Sequence, residues 1–598
     1  MTEYLRQGLQ LLTPQKRARM FMLVGAMAFG AVLEAMGVAI IVPFVFMLSD
    51  PTSALEQARA KPILDFIGID TTNKLIVLSS LVLLLFYIVR GGYLALMYFA
   101  LFRFIFRERV QISNLLLSKY IDAPITFHLG RNSNELIKNT TDTMQRYAMG
   151  VMMPAMIAVS EALVVAAIVT LLLIVSPGAT LTALVIIGVP AVLYYKYVRT
   201  RLAVQGRVSE QSLALVMQWI KQSLGGIKMT KLTNSGPYFV ARHSRHAEVF
   251  ATAYSTMTFQ SQIPRMLMEL FAIGGFVIVT LVLFGRRELQ AAIPYFSMFA
   301  VAAIRLLPSA NRLSANLTNL RFHLPSLTII YDELQAVKEI PGVEMTAQRG
   351  ESAGQLELQH ALVLRDVSYR YPGADTHAID GVSLTIPRGS LVAFVGPTAA
   401  GKTTIIDLIL GLLSPSKGAV LVDGHGIFGN LRAWQRTVGY VPQQIYMIDD
   451  SIRRNVAYAI EDADIDDARV WSALDSAEIG DVVRAMPDGL DTLTGEDGAR
   501  LSGGERQRLG IARALYADAD VLVMDEVTAS LDAATEKKLA DTLVSLRGNK
   551  TIVMTAHRIP LMRICDGLFL LRDGRVVASG KYEQLLETSR EFQEMVAG

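Results

Sequence analysis

The segment GPTAAGKTT, residues 396–404, follows the apolar run Leu391–Val395 and precedes a second one, Ile405–Leu413. The spacing G-x-x-x-x-G-K-[ST] between a strand and a helix is that of a P-loop. Gly396 and Gly401 allow the tight turns that aim successive N–H groups inward. The loop Gly396, Pro397, Thr398, Ala399, Ala400, Gly401 would therefore wrap phosphate oxygens with its backbone. The helix beginning near Lys402, Thr403 and Thr404 adds its positive end. Lys402 would reach the β- and γ-phosphates of ATP, and the Thr403 hydroxyl would ligate Mg2+. Ala399 and Ala400 stand where many P-loops carry Gly and Ser.

Five further pieces follow an order that suits the same chemistry. Tyr371 in YRYPG precedes the loop and could stack on a base, with Tyr369 as its rival. Gln443 in YVPQQ follows an apolar run and could touch magnesium and an attacking water. LSGGERQR, residues 501–508, places Ser502, Gly503, Gly504 and Glu505 at a helix start, where free N–H groups face an anion. VLVMDE ends in Asp525, a magnesium partner, and Glu526, placed to polarise water. His557, after the apolar run 551–556, could sense a γ-phosphate. Singly, each has an ordinary structural alternative: an exposed glutamine, a surface acid pair, a histidine capping a strand. Their joint order carries the reading.

Such groups need a frame, and composition divides the frame in two. The chain has 598 residues, 52% of them hydrophobic, with mean hydropathy +0.36, which is too apolar for a soluble protein of this length. Stretches long enough to cross about 30 Å of hydrocarbon lie near Met20–Leu48, Leu75–Phe104, Met149–Val175, Ala179–Tyr197, Gln262–Phe284 and Ala291–Leu307. After Pro341 charges become frequent and short apolar strands alternate with helical patterns, as in an α/β domain. The fold class expected is an all-α six-helix transmembrane domain, residues 1–340, followed by an α/β P-loop cassette, residues 355–598, joined by the linker Ile340–Gly354. Ala54–Ile67 could be an amphipathic surface helix or, because of Pro62, a plain loop.

Orientation follows from charge. Arg103–Tyr147 carries seven Lys/Arg against four acids, and Lys196–Gln260 nine against two, whereas Ser49–Asn73 carries four acids and two bases. The positive-inside rule puts the two long basic stretches, the cassette and both termini in the cytoplasm. Those stretches are too long for simple turns and are read as helices extended beyond the membrane. The net charge of +3 leaves no footprint for nucleic acid, and a single cysteine, Cys565, excludes an intramolecular disulfide.

The ordered motifs, above all LSGGERQR, resemble those of ATP-binding cassette (ABC) transporters, and the layout resembles a bacterial half-exporter. That resemblance implies ATP with Mg2+, a second copy of the chain as partner, and one nucleotide held between the P-loop of one copy and the Ser502 segment of the other. It also implies an inner-membrane location and cytoplasmic contact segments around Ile121–Leu129 and Leu224–Lys231. TGEDG, residues 494–498, is exporter-like, whereas Thr528-Ala529-Ser530-Leu531-Asp532 departs from the usual T-S-A-L-D.

Cargo must be read from the spans. Arg90 lies deep in LFYIVRGGYLALMYF, Arg265 opens the fifth span, and Arg305 and Arg312, seven apart, share a helix face. Arginines in apolar segments mark function or snorkel to headgroups; snorkelling is the reading for Arg265 and Arg312 taken singly, and burial toward a cavity the reading for Arg90. Together they suggest a cavity for an anionic group such as pyrophosphate, with Glu34 as a candidate pair. VLEAMGVAIIVPFVFMLSD, IPRMLMEL and RLLPSANR resemble bacterial flippases of lipid-linked oligosaccharides. That implies a polyprenyl-pyrophosphate glycan turned from the inner to the outer leaflet. An exporter of another lipid, a drug or a peptide, and a protein gated by ATP without transport, are the alternatives.

Overall fold

The computed structural model describes residues 2–49, 71–175, 177–285, 289–338, 356–527 and 532–597. The expected surface helix at 54–67, the linker at 340–354 and residues 528–531 lie outside them. The chain forms two compact units, 1–121 with 131–340, and 122–130 with 341–598.

The first unit is built of long helices. Six dominate: Pro14–Ser49, Thr72–Asp122, Met153–Val175, Pro177–Gly225, Gly236–Gly285 and Leu289–Lys338. Each contains one expected span, except that the expected Met149–Val175 begins in the π-helical stretch Tyr147–Met152 just before its helix. At 1.5 Å per residue the second is about 75 Å long, more than twice the hydrocarbon thickness. The basic stretches are therefore helix continued past the spans. Among the described residues three segments, Pro14–Val45, Thr72–Asp122 and Ser133–Val175, are long and apolar enough to cross a membrane. The second helix leaves Leu81, Leu84, Leu85, Ile88 and Val89 exposed, the surface a bilayer would solvate. Inside, Ala31 and Val38 of the first helix pack on Val164, Ile168 and Leu172 of the third. The fourth and sixth approach so closely that a Cβ on Gly206 would lie 1.9 Å from the carbonyl oxygen of Phe322, so only glycine fits there.

The second unit is α/β. A four-stranded antiparallel sheet has the order β2-β1-β4-β5, with β1 Ala361–Tyr369, β2 Ile379–Pro387, β4 Lys417–Val422 and β5 His425–Gly426. A six-stranded sheet has the order β10-β9-β3-β8-β7-β6, with β3 Leu391–Val395, β6 Val438–Val441, β7 Val521–Met524, β8 Thr551–Thr555, β9 Gly567–Arg572 and β10 Arg575–Gly580. Its strands are parallel except for the edge pair β9/β10. β3, β7 and β8 are buried along their whole length, as parallel strands covered on both faces must be.

Strand alternation sorts the core into two halves. Leu391, Ala393 and Val395 join Leu522, Met524, Ile552 and Met554 in one cluster, which also takes Leu509, Ile511 and Ala512 of helix Gly503–Tyr516. Val392 and Phe394 join Val521, Val523 and Val553 in the other, with Ile405, Ile406, Leu408 and Ile409 of helix Lys402–Ile409. The two helices that begin at GKTT and at SGGE thus cover opposite faces of one sheet. The same second cluster receives Ile125 from the short helix Ile125–Leu129, whose segment 122–130 belongs with this unit. The other segment singled out for contact forms the helix Ile227–Leu232 in the first unit, with Ile227, Met229 and Leu232 exposed.

Candidate functional site

The loop 396–401 leaves the end of β3 and is held open by its glycines. Gly396 has φ +147°, and a Cβ there would sit 2.2 Å from the carbonyl oxygen of Leu571. Gly401 has φ +101°, and its Cβ would meet Ile379 Cδ1 at 2.7 Å and the Ala378 carbonyl oxygen at 2.8 Å. The two alanines differ in role. Ala400 is buried and packs its methyl into the core, while Ala399 takes the left-handed conformation, φ +66°. That conformation costs about 1–2 kcal/mol for a residue with a Cβ. Lys402 Nζ donates to the carbonyls of Gly396 (2.8 Å) and Pro397 (2.9 Å), which puts its ammonium across the loop. Burial holds it below its ordinary pKa, opposed by Glu526 and Asp525.

The neighbouring strands bring the acids to the same sheet edge. Asp525 is buried, and its Oδ1 accepts from Thr555 Oγ1 at 2.8 Å. Burial raises its pKa, and hydrogen bonds from Thr555 and Thr403 pull it back. Glu526 has φ +49°, an uncommon conformation for a non-glycine residue, and two bonds pin it. Its N–H donates to Thr555 Oγ1 at 2.7 Å, and its carbonyl accepts from Gln507 Nε2 at 3.3 Å. The turn aims the carboxylate at its partners: Gln443 Nε2 donates to Oε2 at 2.5 Å, and His557 Nε2 lies 3.1 Å from Oε1. Gln443, Asp525, Glu526 and His557, 114 positions apart at the extremes, therefore form one constellation beside Lys402 and Thr403. Thr555 and Gln507 were not among the expected residues. Both are uncharged, Thr555 at the end of an apolar strand and Gln507 between Arg506 and Arg508, so only the fold shows that they hold Glu526.

Tyr371 Oη lies 3.2 Å from Thr404 Oγ1, and its ring meets Tyr369 edge-on at 5.0 Å. Tyr369 is a core residue, so Tyr371 is the one with open ring surface. Ser502 caps the helix Gly503–Tyr516 in a capping box: its Oγ accepts from Glu505 N at 3.3 Å, and its own N–H donates to Glu505 Oε2 at 2.7 Å. That box fixes Ser502, Gly503 and Gly504 at the positive end of a helix on the sheet face away from Lys402. Before it, 494–498 is a tight knot. Thr494 is buried and its hydroxyl bonds the Ile448 carbonyl at 2.9 Å, while Gly495, Asp497 and Gly498 are all left-handed. Glu496 and Asp497 project outward. From the altered TASLD stretch, Asp532 is described: it caps helix Ala533–Leu546.

The donor set suits magnesium. A threonine hydroxyl, a buried carboxylate and an amide oxygen are hard ligands, and magnesium in phosphate sites takes few protein groups beside the phosphates. Correspondingly, no group of three or more His, Cys, Asp or Glu fit to hold a metal by themselves occurs among the described residues.

In the first unit, Arg90 and Arg305 both ion-pair with Glu34, and Arg312 pairs with Glu161 (Nε–Oε1, 2.5 Å). Glu34, Glu161, Arg305 and Arg312 line one small cavity together with Tyr98 and Ser160. Arg265 is not brought there. It is 62% exposed and pairs with Glu269 one turn along its own helix. Glu161 was missed, although a lone carboxylate in the span Met153–Val175 was itself a signal.

A phosphate loop, a strand-end acid pair and a Ser-Gly-Gly helix start on a two-sided parallel sheet define a nucleotide-binding cassette, here in one chain with a unit of membrane-length helices. Residues 379–529 match the family model described as ABC transporter. The chain carries an ABC transporter domain and has the fold of an ABC exporter, in half-transporter layout. It is similar to the ATP-dependent lipid A-core flippase of Cupriavidus pinatubonensis, 31% identical over 373 residues, and to that of Burkholderia pseudomallei, 31% identical over 370 residues. The matches span 61% of the length of each of these relatives and 61% and 62% of this chain. A solved structure of a bacterial Atm1-family ABC exporter with ATP bound superposes with TM-score 0.76 at 22% identity, covering 97% of this chain and 98% of that one.

Proposed function

We propose that two copies of this chain form an ATP-hydrolysing flippase in a bacterial inner membrane, moving a lipid-linked oligosaccharide from the cytoplasmic to the outer leaflet. The cassette geometry supports the pairing. One chain presents its P-loop and its Ser502 segment on opposite faces of the same sheet. Enclosing one nucleotide between Lys402 and Ser502 therefore takes a second cassette, which in this reading is that of the second copy. In that arrangement Glu526, held by Gln443 and His557, polarises the attacking water, and Tyr371 stacks on the base. Lys402 and the loop N–H groups stabilise the phosphates, and Thr403, Asp525 and Gln443 would hold Mg2+, which supplies charge neutralisation between the phosphoryl oxygens. Hydrolysis weakens the contact between the two faces. The segments Ile125–Leu129 and Ile227–Leu232 pass that change to the long helices.

The observation that carries the cargo class is the gathering of Arg90, Arg305 and Arg312 inside membrane-length helices. Guanidinium is the group of choice for phosphate, and a cluster of it embedded in hydrocarbon suits an anionic headgroup. A pyrophosphate-linked glycan meets that chemistry. A lipid A-core type of lipid is the second reading, favoured by the names of the relatives.

The test is flipping in proteoliposomes. A labelled polyprenyl-pyrophosphate oligosaccharide should become accessible on the far side only with ATP, and Arg305→Gln should lose most of that activity. Equal transport of lipid A with no transport of the polyprenyl substrate would replace the first reading by the second.

A further inference from the structure

Glu34 and Glu161 have no part in the chemistry described so far, yet they are among the most deeply buried charges of the membrane unit, 5% and 2% exposed. A carboxylate in such a place is costly unless paired. Both are paired with the arginines on which cargo recognition rests. Glu34 Oε2 accepts from Arg90 Nη2 and from Arg305 Nε, and its Oε1 accepts from Arg305 Nη2. Glu161 Oε1 accepts from Arg312 Nε at 2.5 Å and its Oε2 from Arg312 Nη2 at 3.3 Å. The carboxylates come from the first and third long helices, the guanidinium groups from the second and sixth.

Burial divides these partners into a floor and a rim. The side chains of Glu34, Glu161 and Arg90 are 5%, 2% and 11% exposed, against 33% for Arg305 and 51% for Arg312. Arg305 and Arg312 are thus the members an incoming group meets. Glu34 differs from Glu161 in having two guanidinium partners. When Arg305 turns to a ligand, Arg90 still neutralises Glu34, so no bare carboxylate is left in the apolar interior. Arg90 also keeps a spare donor, since its buried Nε has no hydrogen-bond partner among the described residues.

We infer that Glu34 is an internal competing anion, which occupies Arg305 until a phosphate-bearing headgroup displaces it, and which thereby sets the charge a cargo must carry and hastens its release; Glu161, with Arg312 as its one ion-pair partner, keeps that pair. This rests on the flipping reading. Carboxylate and phosphate both take the guanidinium fork in bidentate fashion, so one can replace the other donor for donor. A monoanion offers no more charge than the glutamate it replaces. A pyrophosphate offers more charge and more acceptor oxygens, and wins the exchange. When the cargo leaves, the glutamate re-forms its pair. Arg305 is the mobile donor in this scheme and Arg90 the anchor. Glu34 is a positioning residue and does not itself touch the cargo.

The experiment uses the full-length protein in phosphatidylcholine–phosphatidylethanolamine vesicles, without anionic lipid. The probes are a polyprenyl pyrophosphate carrying a labelled disaccharide and the corresponding monophosphate, and flipping is followed against probe density. Glu34→Gln should lower KM for the pyrophosphate about tenfold, as expected for a ground-state contact strengthened more than the transition state, and should lower kcat by a similar factor. The preference for pyrophosphate over monophosphate should narrow, and Glu34→Asp should restore wild-type values. KM and kcat that fall in this way support the inference. A raised KM, or no change in either, while Arg305→Gln abolishes flipping, overturns it and leaves the flipping reading intact. Full flipping by Arg305→Gln removes the flipping reading itself. Should Glu34→Gln fail to fold, the wild-type protein is judged by its own selectivity: a clear preference for the pyrophosphate over the monophosphate supports the inference, and equal flipping of the two overturns it.

Discussion

The nucleotide site and the membrane cavity both collect charged groups from distant parts of the chain, but they do it by different means. Gln443, Asp525, Glu526 and His557 stand at or just beyond the ends of β6, β7 and β8, and the P-loop at the end of β3. In a parallel sheet, neighbouring strands end on the same edge, so any group placed there meets the others. The cavity has no such edge. The residues that line it come from four helices, and its ion pairs, with Arg90 reaching Glu34 from behind the lining, span sequence separations of 56 for Arg90–Glu34, 271 for Arg305–Glu34 and 151 for Arg312–Glu161. What brings them together is the rotation of each helix about its axis, which tertiary packing alone decides.

The sharpest way to break this comparison is at the sheet edge. Glu526→Gln keeps the shape of the side chain and its acceptor oxygen but removes the base. ATP hydrolysis should fall about 10²–10⁴-fold while nucleotide binding persists. Phosphate release and a nucleotide-binding titration on the same preparation measure both. Hydrolysis at the wild-type rate would remove Glu526 from the chemistry.

Legibility in the sequence follows the same division. The P-loop, the SGGE helix start and the strand-end acids could be read because spacing along the chain fixes local backbone geometry, and strand order does the rest. What could not be read is how Glu526 is held. Its left-handed backbone and its bonds to Thr555 and Gln507 depend on contacts across 29 and 19 positions between residues of ordinary type. In the membrane unit the six apolar stretches announced six long helices. Their inner faces stayed hidden, because a helix apolar all round carries no stripe to orient it. Arg90, deep in its span, could therefore be read as buried toward a cavity, but Arg265 could not be told from Arg312, because both, taken singly, read as snorkelling to headgroups. The structure separates it by its exposure and its pairing with Glu269.

A second substitution at the sheet edge should have a smaller effect. Thr555→Val is nearly isosteric and removes one hydroxyl that serves both acids, accepting from Glu526 N and donating to Asp525 Oδ1. Leaving those buried groups unsatisfied costs about 1–3 kcal/mol. If that loss falls on the positioning of Glu526, hydrolysis drops about 10–100-fold with nucleotide affinity nearly unchanged. Loss of binding without loss of turnover would show that Thr555 serves the loop instead of the base.

The membrane cavity is sharpened by setting two of its candidates against each other. Arg312→Gln strips Glu161 of its ion-pair partner in a site where that carboxylate is 2% exposed, whereas Arg265→Gln breaks an exposed i,i+4 pair worth a few tenths of a kcal/mol. Cargo-stimulated ATPase should fall several-fold in the first, about 3–10-fold, and stay within about twofold of wild type in the second. Equal losses would mean that the arginines act as a general basic surface and that the pairing seen here does not select among them.

The smallest expected effect concerns Asp407, which lies one turn into the P-loop helix. Burial, with a further contribution from the Asp525 charge, raises its carboxyl to about 6. In the unfolded chain the same group titrates near 3.9. Between those values the folded cassette binds more protons than the unfolded one, so stability from this group is present in full below about pH 4 and is lost as pH rises through about 6. Asp407→Asn stays neutral and escapes that loss. Melting temperatures of variant and wild type, both free of nucleotide, should coincide near pH 4. Above pH 6 the variant should melt higher by about 2 °C, a modest gain because solvent screens a group that is only partly buried. A constant gap across the whole range would mean that packing, not ionisation, distinguishes the two side chains. A gap of the opposite sign would mean that the Asp407 carboxylate is stabilising as an anion. In that case the repulsion from Asp525 would be outweighed by positive field at the sheet edge, and Asp407 would depend on that field as each buried carboxylate of the cavity depends on its arginine.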